Sequence, residues 1–349
     1  MKIVVVGDRP VSADRLAEAA MRLKSKDEKT IVKLTWGSQE RALLQAQQLN
    51  VERNGPDAEP YAEGLDREII DADVLLTHLS VVPAKIIQKA EHLMLIGTCR
   101  GGVEQIDLAA ANEKKIPVLH VIRNAEAVSE FTLGLIIAET RNIARAHKAI
   151  ATGGWEKDFV NSRFTYTLKD KVLGIVGLGY IGRLIAQKAS ALGMDVTGYD
   201  PYVTEEELRK VGLSVKKVEL KELFSRSDII SLHLKATPET EGIINKELLT
   251  CMKPDAYLIN TSRAAVIDKE ALYDVLLERK IGGAALDVFW KEPLAADDPF
   301  RELPNVTLTP HIAGTVVDAI PRSPFLLVDV INDYWKSGYS NMLVNHFLK

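Results

Sequence analysis

The sequence has few of the features that mark secreted, membrane or nucleic-acid-binding proteins. Its 349 residues include two cysteines, Cys99 and Cys251, and neither belongs to a CxxC or Cys/His metal-binding spacing. No apolar run approaches the roughly 20 residues that cross a bilayer, and the N-terminal MKIVVVGD predicts a strand rather than a signal peptide. A net charge of −4 gives no basic excess for nucleic acid. We expect a cytoplasmic protein with a small-molecule partner and no metal, membrane or nucleic-acid partner.

Apolar runs alternate with helical patterns in two successive series. The first series ends near Val121 and predicts five parallel strands, and the second begins at Lys171 and predicts about seven. Residues 125–150 between them predict one long connecting helix, with Asn124 as its N-cap. The expected inner stripe of this helix is Val128, Phe131, Leu135, Ile136 and Ile143.

These patterns predict an α/β protein with two doubly wound parallel sheets. A Rossmann dinucleotide domain, residues 124–318, is inserted into a smaller flavodoxin-like substrate domain, residues 1–123 and 319–349. The discontinuous assignment follows from a last helical stretch at 324–334, which we expect to cover the smaller sheet.

The segment from Lys171 to Asp200 combines a strand, a glycine turn, a helix, a second strand and an acid. Gly177 permits the tight turn, Gly179 lets backbone approach a pyrophosphate, and Gly182 permits close packing of helix and sheet. The carboxylate of Asp200 suits the two ribose hydroxyls and would repel a 2′-phosphate, so NAD is favoured over NADP. The other predicted cofactor contacts are Tyr180, Ile181, Thr237, Thr261 and Asp287.

Two strand ends in the first series are candidate substrate walls, because ligands of open α/β sheets bind beyond the carboxyl ends of strands. One strand ends at His78-Leu79-Ser80, and another is followed by Arg100, Gly101 and Gly102. Backbone N–H groups of the glycine pair suit a carboxylate. Ser80, Arg100, Gly101 and Gly102 form the predicted substrate set, whereas His78 is left out of the catalytic set.

Five segments resemble one enzyme family across nearly the whole chain. They are RNAEAVSEFTLGLIIAETRNIARAH at 123–147, GIVGLGYIG at 174–182, LINTSRAAVIDKEAL at 258–272, GAALDVFWKEPL at 283–294 and TPHIAG at 309–314. The chain resembles the D-isomer-specific 2-hydroxyacid dehydrogenases, most of all the phosphoglycerate-dehydrogenase-like group. The resemblance implies catalytic roles for Arg263, Glu292 and His311.

The chemistry of these residue types agrees with the implied roles. Arg263 presents a planar fork for a substrate carboxylate and for developing charge on the C2 oxygen. His311 suits proton exchange with the C2 hydroxyl near neutral pH, and Glu292 would fix its tautomer and favour its charged form. We expect the three residues in the cleft between the two domains. The prediction is an NAD-dependent oxidoreductase that interconverts a D-2-hydroxy acid and its 2-oxo acid. A phosphorylated or polyhydroxylated acid similar to 3-phosphoglycerate is compatible with this prediction.

Two other functions remain open at this point. The fold also resembles NADH-sensing corepressors, which can retain the same three residues, although this chain shows no extra peptide-binding region or long tail. The other is a formate or phosphite dehydrogenase. Formate dehydrogenases of this group lack a glutamate in the acid–base role, whereas this chain has Glu292 there.

The chain departs from the family at Ala264, where glycine is common, and in the loop around Trp290 and 295–301. The long helix at 125–150 also suits the interface of a homodimer.

Overall fold

Two α/β units, each with its own parallel sheet, form the computed structural model, which describes residues 1–345. One unit contains Met1–Arg123 and the chain from Val316 onward, and the other contains Asn124–Thr315. Of the predicted domain range 319–349, residues 346–349 lie outside the described part. Within residues 1–345, every helix is too short or too polar to span a bilayer.

The first unit has a five-stranded sheet whose strand order is β2-β1-β3-β4-β5. Its strands are β1 (Lys2–Gly7), β2 (Thr30–Thr35), β3 (Val74–Thr77), β4 (Leu95–Thr98) and β5 (Val118–Leu119). Its first helices are α1 (Ala13–Ala20), α2 (Arg41–Asn54), α3 (Leu65–Glu68), α4 (Ala84–Lys89) and α5 (Leu108–Glu113). All pairings are parallel, and this order confirms the flavodoxin-like prediction. Strands β1, β3, β4 and β5 are largely apolar and buried, as expected for strands covered on both faces, whereas the edge strand β2 is partly exposed.

The second unit has a seven-stranded parallel sheet of order β12-β11-β10-β9-β6-β7-β8. Its strands are β6 (Val172–Val176), β7 (Asp195–Tyr199), β8 (Lys216–Lys217), β9 (Ile229–Leu232), β10 (Tyr257–Asn260), β11 (Gly283–Leu286) and β12 (Val306–Leu308). Its helices are α6 (Ala125–Thr140), α7 (Ile143–Ala151), α8 (Tyr180–Ala191), α9 (Glu205–Lys210), α10 (Leu220–Arg226), α11 (Lys246–Cys251) and α12 (Lys269–Leu277). Three 3₁₀ helices cover Ser162–Phe164, Ala264–Val266 and Pro299–Glu302.

The strand order of the second unit confirms the Rossmann prediction. Its order reverses between β6 and β9, and the glycine turn follows β6 at that switch point. Separate apolar clusters cover the two faces of the sheet, one around Leu258 and Leu286 and the other around Ile175 and Ile259. The loops that follow the strands therefore rest on a rigid base.

The single long helix predicted at 125–150 is wrong. The chain forms α6 and α7 instead, separated at Asn142, whose φ of 58° is left-handed. Ile143 consequently leaves the inner stripe and is 52% exposed. Asn124 holds the N-cap position of α6, but its side chain makes no capping hydrogen bond. The helix after the glycine turn begins at Tyr180.

The chain returns to the first unit through α13 (Ala319–Ser337), which packs on α1 and next to β4. Beyond α13, the side chain of Asn345 accepts a hydrogen bond from the Val118 amide at 2.7 Å and donates to the Ile116 carbonyl at 2.9 Å. This tail thereby covers the β5 edge of the sheet. The helix is longer than the predicted stretch and includes Pro324 in its first turns.

Candidate active site

The glycine turn after β6 has the shape that a dinucleotide pyrophosphate requires. Gly177 has a φ of 97°, and a Cβ there would lie 2.6 Å from the His233 carbonyl oxygen. A Cβ at Gly182 would lie 2.1 Å from the Gly177 carbonyl oxygen. At Gly179, by contrast, a Cβ added to the glycine would have no atom of the described residues within 4 Å, apart from its chain neighbours. The turn is therefore tight on the protein side and open where phosphates would approach the α8 N-terminus.

Asp200 lies directly after β7, and its side chain contacts the backbone of this turn. One carboxylate oxygen accepts from the Leu178 amide at 2.8 Å, and the other accepts from the Tyr202 amide at 2.9 Å. These bonds fix the carboxylate, and each oxygen retains a lone pair for a ribose hydroxyl. The residues present thus fit a bound NAD.

The other predicted cofactor residues differ in their accessibility. Thr237 is exposed in the turn after β9, and Tyr180 and Ile181 are partly exposed at the start of α8. Burial, together with the charge of Glu126, raises the pKa of Tyr180. Thr261 is buried, and its hydroxyl lies 2.8 Å from that of Thr132 on α6.

Glu292 and His311 are brought together from the loops that follow β11 and β12. His311 Nδ1 lies 2.8 Å from Glu292 Oε2, while the Phe289 amide donates to Glu292 Oε1 at 3.0 Å. The hydrogen bond from His311 holds the pKa of Glu292 below its usual range. Burial opposes this lowering, and the Phe289 amide and the charge of Arg263 add to it. Because a carboxylate can only accept, Nδ1 is the donor, and Nε2 is left for a substrate.

Asp287 supports the loop that presents His311. It is fully buried, and it accepts from the Thr309 hydroxyl at 2.6 Å and from the amides of Ile312 and Ala313 at 3.0 and 2.8 Å. His311 has a φ of 55°, a left-handed conformation that needs such support. The predicted cofactor contact of Asp287 stays a prediction, whereas these bonds identify it as a positioning residue.

Arg263 follows β10 at the same edge of the sheet and is exposed. The buried side chain of Asn260 shapes this loop, because its Oδ1 accepts from the Ser262 amide at 3.0 Å and its Nδ2 donates to the Arg263 carbonyl at 3.0 Å. Arg263 Nη1 donates to the Ser262 carbonyl at 2.7 Å. The remaining donors of the guanidinium are available to a ligand.

A cavity of about 640 Å³ adjoins the Glu292–His311 pair. Its lining is Phe289, Glu292, Pro293, Leu294, Arg301, Leu308, Thr309, Pro310 and His311. Arg301 closes one side by donating to the carbonyls of Leu294 and Ala295. Trp290 does not line this cavity; its ring packs on Phe300, and its Nε1 donates to the Ile267 carbonyl at 3.1 Å.

The predicted substrate residues of the first unit follow β3 and β4. Ser80 is fully buried, and its hydroxyl lies 3.4 Å from the Val81 carbonyl. Arg100 Nη2 is paired with Glu52 at 2.7 Å, and Glu104 is 3.6 Å away. Gly101 is exposed, and its carbonyl accepts from His120 Nδ1 at 2.6 Å. Their roles in substrate binding stay predictions.

Sequence reasoning assigned no functional role to Asn124 and Asn260 and set His78 aside. Asn124 lies against the loop after His311, since a Cβ at Gly314 would be 2.7 Å from its Nδ2. His78 is 1% exposed and bonded to Asp8 at 2.9 Å. An asparagine at the start of a helix is normally read as an N-cap, and the sequence gives no other signal for Asn124. Only the absence of the capping hydrogen bond in the structure distinguishes Asn124 from an ordinary N-cap.

Comparisons with known proteins agree with this geometry. Residues 133–313 match the family model of the D-isomer specific 2-hydroxyacid dehydrogenase NAD binding domain. Hydroxypyruvate reductase of Thermotoga maritima is 37% identical over 80% of this chain and 91% of that protein. D-3-phosphoglycerate dehydrogenase of Methanocaldococcus jannaschii is 37% identical over 81% of this chain but 53% of its own length, so the chain spans about half of that relative. A solved D-2-hydroxyisocaproate dehydrogenase shares the fold, with a TM-score of 0.62 at 23% identity over 99% of this chain and all of the other.

Proposed function

The chain belongs to the D-isomer-specific 2-hydroxyacid dehydrogenase family, and on that premise we propose that it interconverts a D-2-hydroxy acid and its 2-oxo acid with NAD. The observation that supports this most strongly is the 2.8 Å Glu292–His311 pair, with Arg263 following β10 of the same sheet. All three follow strands of the sheet whose β6 ends in the glycine turn. Reduction of a 2-oxo acid requires a proton donor and a cationic group that binds the substrate carboxylate. The proposal places both on the second unit, the one with the glycine turn, which we call the cofactor unit.

The glycine turn and Asp200 hold the cofactor in this proposal. Backbone near Gly179 and the N-terminus of α8 receive the pyrophosphate, and Asp200 receives the ribose hydroxyls. When bound, the nicotinamide ring supplies or accepts the hydride. The side chains of the protein must then transfer the proton and bind the negative charge of the substrate.

His311 exchanges the proton with the C2 oxygen through Nε2. The Glu292 carboxylate accepts from Nδ1 and, being ionised, stabilises the imidazolium that donates during reduction of the oxo acid. In the oxidative direction, the neutral ring accepts the hydroxyl proton at Nε2. Asp287 maintains the loop geometry that aims this nitrogen.

Arg263 binds the C1 carboxylate and polarises the C2 oxygen. Its planar fork suits bidentate recognition, and its charge stabilises the alkoxide character that develops on the C2 oxygen. From the first unit we retain the backbone of Gly101 and Gly102, with Ser80 and Arg100, as the proposed substrate wall. The relatives named above suggest small 2-oxo acids as substrates.

The test is to follow NADH absorbance against a panel of 2-oxo acids that includes glyoxylate, hydroxypyruvate and 3-phosphohydroxypyruvate. H311A and R263A should each lower kcat/KM by roughly 10²–10⁴-fold, because each removes a group that acts in the transition state. H92A and R53A change exposed residues of the same types and should behave as wild type. Full activity in H311A, or no turnover of any acid while NADH binds, would overturn the proposal.

We also propose a cytoplasmic homodimer. Ile143 and Ile150 on α7 are each 52% exposed, and Trp155 is 79% exposed, so apolar side chains face outward along 143–155. Exposed apolar surface of this kind is typical of an interface, and a two-fold axis is the commonest arrangement. Both cysteines are free thiols, which suits a reducing compartment.

A further inference from the structure

Three side chains at the carboxyl edge of the first unit's sheet form a hydrogen-bonded chain that ends in Arg123. Asp8 follows β1, His78 follows β3, and Arg123 lies four residues beyond β5. His78 Nδ1 lies 2.9 Å from Asp8 Oδ2, and Arg123 Nη1 lies 2.6 Å from His78 Nε2. Asp8 is 4% exposed and His78 is 1% exposed, whereas Arg123 is partly exposed. The chain of bonds therefore runs from the interior toward the surface.

The proton positions along this chain follow from its two ends. A guanidinium can only donate, so His78 Nε2 accepts and the ring proton is on Nδ1, which donates to Asp8. Asp8 also accepts from the amides of Leu79 and Val11, each at 2.9 Å. His78 is thus a neutral spacer that fixes the plane of the Arg123 guanidinium without neutralising its charge.

The charge of Arg123 differs in its surroundings from that of Arg100. Arg100 forms an ion pair with Glu52, and Glu104 lies nearby. Among the ion pairs of residues 1–345, none joins Arg123 directly to a carboxylate, and Arg123 contacts a neutral imidazole instead. Burial and the charge of Arg100 lower the pKa of Arg123, and the charge of Asp8 opposes them. A bound anion would offset the repulsion by Arg100.

We propose that Arg123 binds a second anionic group of the substrate, a phosphate or carboxylate remote from the reacting carbon. The proposal rests on the function proposed above, which assigns the C1 carboxylate to Arg263. Arg123 lies beyond the carboxyl ends of parallel strands, where open α/β sheets bind ligands. One edge of its guanidinium is held by His78, and the other N–H groups remain to grip two oxygens of a tetrahedral or planar anion.

The kinetic test compares 2-oxo acids with neutral and anionic tails. Hydroxypyruvate has a neutral tail, 3-phosphohydroxypyruvate tests a phosphate, and oxaloacetate tests a second carboxylate. R123Q should lower kcat/KM for one or both anionic substrates by roughly ten- to a hundredfold relative to hydroxypyruvate, the loss expected for a charged hydrogen bond. R123K keeps the charge without the planar fork and should show an intermediate loss. R9Q removes an exposed charge next to Asp8 and should preserve the wild-type ratio.

A binding measurement separates this proposal from the proposed function. Inorganic phosphate and malonate, titrated without substrate, should raise the thermal unfolding midpoint of wild type and R9Q, and the response to at least one of them should disappear in R123Q. This readout applies even if no oxo acid is reduced, so failure of the reaction and failure of the anion site are distinguishable. Equal loss for all three substrates would assign Arg123 to the C1 carboxylate and overturn the proposal. Wild-type ratios and anion responses in R123Q would also overturn it.

Discussion

At the scale of single residues, the conformation of the His311 loop depends on one buried acid. Asp287 accepts three hydrogen bonds from Thr309, Ile312 and Ala313, on both sides of the histidine. A histidine with a positive φ would otherwise relax toward a commoner conformation. The geometry of the proposed proton transfer thus depends on a group that itself need not touch substrate.

Replacement of Asp287 by asparagine should therefore affect both stability and catalysis. D287N puts an amide donor against backbone donors, and we expect a loss of about 2–3 kcal/mol in the free energy of unfolding. Urea unfolding measures this loss, and kcat should fall in parallel. T309V removes only one of the three bonds and should cost about 1 kcal/mol. Coincident unfolding curves for D287N and wild type would contradict the assigned role.

The Glu292–His311 bond predicts a pH dependence of stability. Because the pKa of Glu292 is lowered in the folded state, its contribution is present above the ordinary carboxyl range and is lost as pH falls through the lowered pKa. Wild type should unfold at a higher temperature than E292Q near about pH 7, and the difference should shrink as pH falls below the ordinary carboxyl range. E241Q, at an exposed position, serves as control. A difference that grows on acidification would refute the prediction.

At the scale of elements, the glycine turn and α8 predict opposite effects for two similar substitutions. G182A places a methyl group 2.1 Å from the Gly177 carbonyl and should destabilise the protein by about 1–3 kcal/mol. G179A enters open space, so stability should stay within about 0.5 kcal/mol of wild type. The same methyl group narrows the pyrophosphate site, and the Kd for NADH should rise roughly tenfold. Thermal unfolding and NADH fluorescence separate the two effects; equal stability losses would contradict this account.

The sequence predicts the sheets well because buried parallel strands are short apolar runs between helical patterns. It fails at Asn142, where apolar spacing continues across a break that depends on one left-handed residue. The Glu292–His311 contact was predicted from a family pattern, and the structure supplies the 2.8 Å distance. The role of Asp287 was not predictable, because its partners are backbone amides about 25 residues away whose position only the folded sheet determines.

At the scale of the whole molecule, the exposed apolar residues of α7 predict how the chain associates. I150E places a charge on the proposed two-fold interface and should convert a dimer into a monomer, as measured by light scattering during size-exclusion chromatography. L43E changes a similarly exposed leucine on α2 of the first unit and should leave the dimer intact. A monomeric wild type, or a dimeric I150E, would reject the assignment of this surface.

The return of the chain through α13 also determines the order in which the protein is completed during synthesis. The second unit, Asn124–Thr315, is continuous in sequence, so all of its strands and helices leave the ribosome before α13 is made. The first unit is different, since α13 and Asn345 are made about 200 residues after β5, the strand that Asn345 caps. Until α13 and Asn345 are made, the β5 edge and the α1 surface of the first unit are therefore uncovered.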